Sequence, residues 1–462
     1  MRARNLTTGP ILHLLLVLGL PNLGAFALQS VYALTDLYFV GGLGAPAIAG
    51  LGISINTFFI VLALGQSIGI GGLAMISQAY GRGEHDSVPQ VYQQVFLMVL
   101  IAGSALWAGM ALLAESYVGL FTRDAEVFRQ GVAYFRLYAM VFLTQVFLMT
   151  CGMCWRAVGD FITPMRLMAL SVALNIGLDP LLIYGLGPVP ALGIAGAALA
   201  TIASQLAACA VYLWMIFGSR RNTLLVVRAP LRLDWRLQVR LLRIGVPSGV
   251  RDVLFSASLM LVYYFVQRFG ADASAAVGVG FRIIQTGVLP TVAIGAAVAA
   301  LVGQNFGAQR HERVLAAMLW GTGASVAILS LEYALVASFP SFWVGLFTTA
   351  PGVLALGRDY LLITGLILPA YSVTIVLTFA AQGLGRTMQP LVAQTVRVAA
   401  LFAFLLAAQH TVGLTVHGVF WSGTGASILE TLYMLGVLWH IRRQLLGAHE
   451  AAAAEQPAEA PT

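Results

Sequence analysis

One stretch decides how this chain folds: Asn175-Ile-Gly-Leu-Asp179-Pro180-Leu-Leu-Ile-Tyr184-Gly185. It lies in an apolar segment that is long enough to cross a bilayer. A carboxylate at membrane depth costs roughly 2.5–3.5 kcal/mol on insertion scales, so it is usually kept for function. Asn175 and Asp179 are four residues apart and project from one helix face, while Pro180 removes a backbone donor just past the carboxylate. Together with Asp36, near the end of the first apolar segment, Asp179 is predicted to form an intramembrane cation site.

The composition is that of a membrane protein. Of the 462 residues, 59% are hydrophobic and 9% are charged, with a mean hydropathy of +0.87, whereas a soluble domain carries about 25% charged residues. The net charge of +7 indicates basic cytoplasmic loops and contact with lipid headgroups, and basic patches interleaved with aromatic residues are absent. We therefore predict an all-α polytopic membrane protein whose partners are small organic substrates and membrane lipids, not nucleic acid.

The sequence lacks the patterns of a cofactor-dependent enzyme. Cys151 and Cys154 have CxxC spacing but lie in an apolar helix, so they are interpreted, like Cys209, as membrane-buried thiols. The seven histidines are scattered, and none pairs at metal-ligand spacing. Clusters of His/Asp or Ser/His at a membrane face are also missing. We expect no cofactor and no enzymatic activity.

Windows of about 20 apolar residues predict twelve membrane spans. The predicted spans are 11–35, 47–78, 89–114, 130–155, 162–186, 191–217, 238–267, 275–304, 313–338, 357–382, 388–410 and 415–441. With the N-terminus inside, 17 of the 25 arginines fall in cytoplasmic segments and 5 in outer segments. This bias predicts that both termini are cytoplasmic.

An internal repeat with an offset of 226 residues relates the two halves of the chain. Gly19-Leu-Pro21 recurs as Gly245-Val-Pro247, and Gln78-Ala-Tyr-Gly81 recurs as Gln304-Asn-Phe-Gly307. The same offset relates further pairs, namely Tyr38-Phe-Val40 with Tyr264-Phe-Val266, Tyr134 with Tyr360, Gly159 with Gly385 and Pro164 with Pro390. The repeat predicts two pseudo-symmetric six-helix bundles that share one orientation.

These features predict four regions. They are a first lobe at 1–217, a basic cytoplasmic linker with an amphipathic helix at 218–243, a second lobe at 244–446, and a disordered cytoplasmic tail at 447–462.

The repeat is not kept at the polar positions of the first lobe. At the shared offset, Asp36 corresponds to Val262, Asn175 to Leu401 and Asp179 to Leu405. The shared fold therefore does not demand the acids, and we interpret them as a functional site of the first lobe. The alternative is a set of structural polar groups satisfied by their neighbours. Thr201, a few turns into the sixth span, is placed to reach the same level.

Other charges in the spans have no evident partner in the sequence. Arg251 and Asp252 are interpreted as structural. For the rest, lining of a cavity in the second half and a purely structural use both stay open; these residues are Arg282, Glu332, Arg397 and Glu430.

Together these motifs resemble the multidrug and toxic compound extrusion (MATE) transporters. The resemblance rests on the two six-helix halves and on Gly-Leu-Pro21 fifteen residues before Asp36, Gln78-x-Tyr-Gly81, Arg156-x-x-Gly-Asp160-x-x-x-Pro164 and Asn175-x-x-x-Asp179-Pro-Leu-Leu-Ile. It covers all but the two ends of the chain. It implies cation-coupled export of amphipathic, often cationic compounds by a monomer in the bacterial inner (plasma) membrane.

The resemblance also assigns residues. The family's cation site in the first lobe is matched by Asp36, Asn175, Asp179 and Thr201, and positions facing its cavity by Gln29 and Tyr32. The NorM-like and eukaryotic branches carry a glutamate eight residues after the proline of span 7. Phe255 occupies that position here, which favours the DinF-like branch and argues against an acidic site in the second lobe.

The predicted mechanism follows from the acid pair. Two buried carboxylates hold a proton at neutral pH, or share a sodium ion with Asn175 and Thr201 as oxygen ligands. Ion uptake from outside is expected to cancel the charge, bend the first span at Pro21 and release the substrate, after which the lobes rock inward. The alternative function is a flippase for lipid-linked precursors, which twelve spans and paired acids disfavour. A membrane enzyme or a channel suits the pattern less well.

Overall fold

The computed structural model describes residues 4–122, 124–185, 188–218, 224–227, 230–411 and 413–454, without the side chains of 45–60 and 448–454. These ranges contain helices and turns but no β-strand. The helices are α1 (Ile11–Gly41), α2 (Ala45–Gly81), α3 (Ser87–Leu112), α4 (Ala114–Gly119), α5 (Ala125–Ala157), α6 (Ile162–Ile183), α7 (Ile194–Leu213), α8 (Trp235–Val266), α9 (Ala271–Gly307), α10 (His311–Ser338), α11 (Pro340–Gly345), α12 (Pro351–Gly365), α13 (Leu368–Gly383), α14 (Met388–Thr411) and α15 (Val416–Ala454). A π-helical turn, Trp214–Gly218, follows α7, and a 3₁₀ turn, Gln267–Phe269, follows α8.

Long apolar helices make up the fold. Within the described ranges, ten helices are long and apolar enough to cross a bilayer, and α12 with α13 forms an eleventh span that bends by 56°. The 39-residue helix α15 corresponds to the twelfth predicted span, 415–441. The predicted all-α membrane fold with twelve spans is confirmed.

The predicted span 357–382 is broken between α12 and α13. Pro369 lies in the first turn of α13. Proline has no N–H to donate and its ring clashes with the carbonyl four residues earlier, which is that of Gly365. Helix α12 ends at this residue. The sequence window alone did not separate a bent span from a straight one.

Helix boundaries repeat at the same offset as the sequence. The ranges of α2 and α9 are 226 residues apart at both ends, and so are those of the short helices α4 and α11. Gly159 and Gly385 follow α5 and α13 in left-handed backbone conformations, with φ of +83° and +71°. A side chain would strain both turns, so glycine is used twice at equivalent points. The two halves are therefore two copies of one six-helix bundle.

The chain forms two compact units, and each includes a piece from the other half of the sequence. The first unit comprises Met1–Asn5 and Leu20–Gly249, and the second comprises Leu6–Gly19 and Val250–Thr462. The beginning of α8 packs within the first unit, where a Cβ on Gly245 would overlap the Ser67 carbonyl oxygen of α2.

The segment Leu6–Gly19 is held in the second unit in a similar way. The Leu6 amide donates to Gln304 Oε1 at 2.9 Å, and Asn305 Nδ2 donates to the Leu6 carbonyl at 3.1 Å. Thus α1 and α8 each pass from one unit to the other.

The predicted region limits stay predictions. Parts of the linker (219–223 and 228–229) and of the tail (455–462) lie outside the described residues. In the described part, α8 begins at Trp235 within the predicted linker, and α15 continues to Ala454.

Candidate functional site

The predicted cation-site residues come from three helices of the first unit. Asp36 lies in α1, Asn175 and Asp179 lie in α6, and Thr201 lies in α7. Asn175 and Asp179 are 0% exposed and Thr201 is 3% exposed, whereas Asp36 is half-buried. Three of the four predicted cation-site side chains are thus enclosed within the protein, on α6 and α7.

Hydrogen bonds at both ends of α6 hold the helix in place and so position the face that carries Asn175 and Asp179. At the beginning, Asp160 Oδ1 accepts hydrogen bonds from the amides of Ile162 and Thr163 at 3.1 and 2.9 Å. At the end, the Leu192 amide donates to the Leu182 carbonyl at 3.0 Å. A Cβ on Gly196 of α7 would overlap that same carbonyl, so glycine is needed where α7 crosses the end of α6.

The two acids meet in one cluster. The Asp36 carboxyl interacts directly with the side chains of Asp179 and Asn175, and Asn175 Nδ2 donates to Asp179 Oδ1 at 3.2 Å. Within the described residues, Asp36 Oδ1, Asn175 Oδ1 and Asp179 Oδ2 are buried and have no hydrogen-bond partner. Buried oxygens without donors are costly, and oxygen sets of this kind suit protons or a hard cation. We call Asp36, Asn175 and Asp179 the acid cluster.

Tyr32 connects the acid cluster to α7. Its hydroxyl lies 2.8 Å from Ser204 Oγ, and Ser204 Oγ donates to the Thr201 carbonyl at 2.9 Å. Because a serine hydroxyl has one hydrogen to donate, Tyr32 is the donor in its bond to Ser204. The Tyr32 hydroxyl also interacts with the Thr201 side chain and lies within electrostatic range of Asp36.

The two residues matched to cavity positions differ in their surroundings. Gln29, Tyr32 and Asp36 are spaced three and four residues apart, so they share one face of α1. Tyr32 is 9% exposed and belongs with the acid cluster, whereas Gln29 is exposed.

Several residues near the acid cluster were missed by sequence reasoning. Tyr134 and Tyr138 of α5 lie within electrostatic range of Asp36, and their rings stack at 5.1 Å between centroids. Ser204, which receives the Tyr32 hydrogen bond, was missed as well. Two tyrosines four residues apart in an apolar span were the available signal, since both hydroxyls point from one helix face.

Pro21 and Pro180, the residues predicted to bend helices, lie inside α1 and α6. Helix α1 continues through Pro21, and the boundary between the units falls just before it, between Gly19 and Leu20. Asn22, the next residue, accepts a 3.3 Å hydrogen bond from Arg156 Nη1. Pro180 follows Asp179 inside α6 and leaves the carbonyl four residues earlier without its helical donor. Bending at either proline stays a prediction.

Metal and thiol chemistry are not prominent in the described residues. Among them, no three His, Cys, Asp or Glu side chains are grouped so that they could hold a metal ion. Cys151, Cys154 and Cys209 are free and buried. The acid cluster has only two carboxylates, so its donor set fits a proton or sodium ion better than a transition metal.

Comparison with known proteins agrees with this architecture. The model of the MatE family matches residues 21–181 and 247–408, two segments that begin 226 residues apart. The probable multidrug resistance protein YoeA of Bacillus subtilis is 31% identical over 350 residues, which covers 74% of this chain and 75% of that protein. The probable multidrug resistance protein NorM of Thermotoga maritima is 25% identical over 440 residues, covering 93% and 94%.

The fold is also found among solved structures. A MOP superfamily transporter from Pyrococcus furiosus superposes with a TM-score of 0.88, over 96% of this chain and 99% of that one, at 21% identity.

Proposed function

This chain belongs to the MatE family, and from that membership we propose that it exports amphipathic, often cationic organic compounds in exchange for protons or sodium ions. It is an integral membrane transport protein and not an enzyme, as the sequence predicted. Its relatives YoeA and NorM are named as probable multidrug resistance proteins, which supports export as the task.

The acid cluster is the observation that carries the proposal. Asp36 and Asp179 interact directly, and each keeps an unpartnered buried oxygen within the described residues. In the described part of the chain, neither acid forms an ion pair with a basic side chain. Two adjacent carboxylates in a low-dielectric environment repel each other unless a cation is shared between them. The cluster is therefore suited to take up and release one positive charge.

In the proposed cycle, this charge drives the change in α1. The ion enters from the outer side and neutralises the pair, with the oxygens of Asn175 and Thr201 as further ligands if the ion is sodium. Tyr32 and Asp36 share a face of α1, so a change at the acids is passed to this helix, which bends at Pro21. The substrate leaves, the lobes rock inward, and the ion is released to the cytoplasm. Different ion affinities in the two states supply the coupling.

The remaining parts of the proposal come from the sequence. The distribution of arginines supports cytoplasmic termini, and the family supports a multi-pass protein of the bacterial inner membrane that acts as a monomer. Phe255, at a position where other branches carry an acid, supports the DinF-like branch.

The test is export by Asp36→Asn and Asp179→Asn in everted membrane vesicles, with a proton gradient or a sodium gradient imposed separately. Each variant removes one charge while keeping the shape, so we expect folded, inserted protein whose dye export falls to background. The gradient that drives the wild type identifies the coupling ion. Asp359→Asn is the matched control, because this acid is exposed and pairs with His417 in the second unit. Normal export by both cluster variants would refute the proposal.

A further inference from the structure

A second cluster of charge lies within the second unit, where the acid cluster has no counterpart. Five side chains from four helices form it, and we call them the arginine cluster: Arg251 and Asp252 of α8, Tyr371 of α13, Arg397 of α14 and Glu430 of α15. All four charged residues were left without an assigned function by the sequence. Charges at this depth are expensive and usually functional.

Arg397 is the centre of this cluster. Its Nε lies 3.7 Å from Glu430 Oε2, an ion-pair distance that is too long for a hydrogen bond. Its guanidinium lies 5.4 Å from the ring centroid of Phe255 and 5.7 Å from that of Tyr371. The Arg397 side chain is 15% exposed. Aromatic faces favour a guanidinium but leave its N–H groups free to donate in the plane of the group.

Two side chains of α14 have buried polar atoms without hydrogen-bond partners within the described residues. Arg397 Nη1 is buried and has no hydrogen-bond partner among the residues that the structure describes. Gln394 lies three residues earlier on the same face and is 0% exposed. Both of its amide atoms are likewise unpartnered within those residues. A buried donor left unpaired is costly, and more so when it is charged. Two such donors side by side form a site that is complete only with an acceptor.

The neighbouring acids do not fill this site. Asp252 Oδ1 lies 3.3 Å from Arg251 Nη1, so these two charges are paired. Glu430 is 1% exposed and is attracted by both Arg397 and Arg251. Arg251 is thus paired with Asp252, and Arg397 faces Glu430 through Nε alone, so that Nη1 of Arg397 keeps a free donor within the described residues.

We propose that the arginine cluster binds the carboxylate of an organic substrate. Arg397 Nη1 and Gln394 Nε2 donate to its oxygens, and the rings of Phe255 and Tyr371 contact its apolar body. This inference rests on the proposed export function and names its substrate class: amphipathic compounds that carry a carboxylate, alone or beside a cationic group.

The test is equilibrium binding of two dyes to the purified full-length protein in detergent, without any ion gradient. One is a xanthene dye with a free carboxylate, and the other is its methyl ester. Arg397→Gln should weaken binding of the carboxylate dye by about tenfold or more, since a charge-assisted hydrogen bond is lost. Binding of the ester should change by less than about twofold, which also reports that the variant is folded.

Two further variants separate recognition from structure. Gln394→Met keeps the size of the side chain and removes its donors, so it should weaken the carboxylate dye by about threefold and leave the ester unchanged. Glu430→Gln removes a competing carboxylate and should strengthen the carboxylate dye. If the Arg397–Glu430 pair is merely structural, Arg397→Gln and Glu430→Gln should each weaken binding of both dyes to the same extent. That result, or equal binding of the two dyes by every variant, overturns the proposal.

The dye-binding experiment can fail or succeed independently of the ion-coupling experiment on the acid cluster. Loss of ion-driven export in Asp36→Asn leaves the dye preference in place if the arginine cluster sets it. Loss of the dye preference leaves the ion-coupling experiment unaffected.

Discussion

The two units share one helical frame but bury opposite kinds of side chain at equivalent positions. In the first unit, Asn175 and Asp179 are 0% exposed and polar. In the second, the same frame places Leu401 and Leu405 there, 1% and 0% exposed, in an apolar core against which Val262 packs. The fold accepts either chemistry, so the acid cluster is not a packing requirement.

The second unit carries its own charges one helical turn earlier. Arg397 precedes Leu401 by four residues and corresponds to the buried Ser171 in the first unit, while Glu430 corresponds to Ser204. Among the described residues, polar side chains thus gather around two acids in the first unit and around an arginine in the second. Under the two proposals, the duplicated bundle carries a cation site in its first unit and an anion site in its second.

The largest effect is expected from a pair of equivalent glycines. A Cβ on Gly245 would overlap the backbone carbonyl of Ser67, whereas a Cβ on Gly19 would lie 3.9 Å from Ile294 Cγ1, an ordinary contact. We expect Gly245→Ala to abolish accumulation of folded protein, despite the gain of about 1 kcal/mol that alanine brings to a helix. Gly19→Ala should accumulate normally. Size-exclusion profiles of fluorescent fusions measure the accumulation of both variants. Similar profiles would show that the helices pack equally closely at Gly19 and at Gly245.

The second prediction exchanges the acidic and the apolar residue at one pair of equivalent positions in the two units. Leu405→Asp puts a carboxylate into the apolar core at a cost of roughly 2.5–3.5 kcal/mol on insertion scales, added to about 2–5 kcal/mol of lost packing. We expect less than about a tenth of the wild-type yield of folded protein. Asp179→Leu should fold as well as the wild type but fail to export. If Asp179→Leu also fails to accumulate, the acid is a structural element and the contrast between the units is lost.

The smallest effect concerns the hydrogen bond between Tyr32 and Ser204. Tyr32→Phe removes a bond worth about 0.5–1.5 kcal/mol, so the concentration of ion that half-saturates export should rise by no more than about tenfold. Ser204→Ala should have a similar effect, and the double variant should be no worse than either single one. Ser258→Ala, at the position in the second unit equivalent to Tyr32, is the control and should leave this concentration unchanged. Additive losses in the double variant would place the two hydroxyls in separate roles.

The sequence predicted the architecture well because its signals are redundant. Twelve apolar windows, one repeat offset and paired glycines and prolines all indicate the same two bundles. It was less informative about which side chains face each other, since helices that are apolar on every side give little indication of orientation. Tyr134, Tyr138 and Ser204 were missed for this reason. The exchange of Leu6–Gly19 between units leaves no local trace, because the helix that carries it is continuous.

The break between α12 and α13 bears on how the protein is made. Beside it, Tyr333 Oη donates to the Leu362 carbonyl at 3.4 Å. Thr424 and Thr431 of α15 also lie near the break, but their hydroxyls make shorter hydrogen bonds to carbonyls of their own helix, those of Phe420 at 3.1 Å and Ser427 at 2.9 Å. Carbonyls without donors are costly in hydrocarbon. Tyr333 belongs to α10, which precedes the break in the sequence. A donor to the kinked span is therefore already present when this span is synthesised, and Tyr333→Phe would remove it.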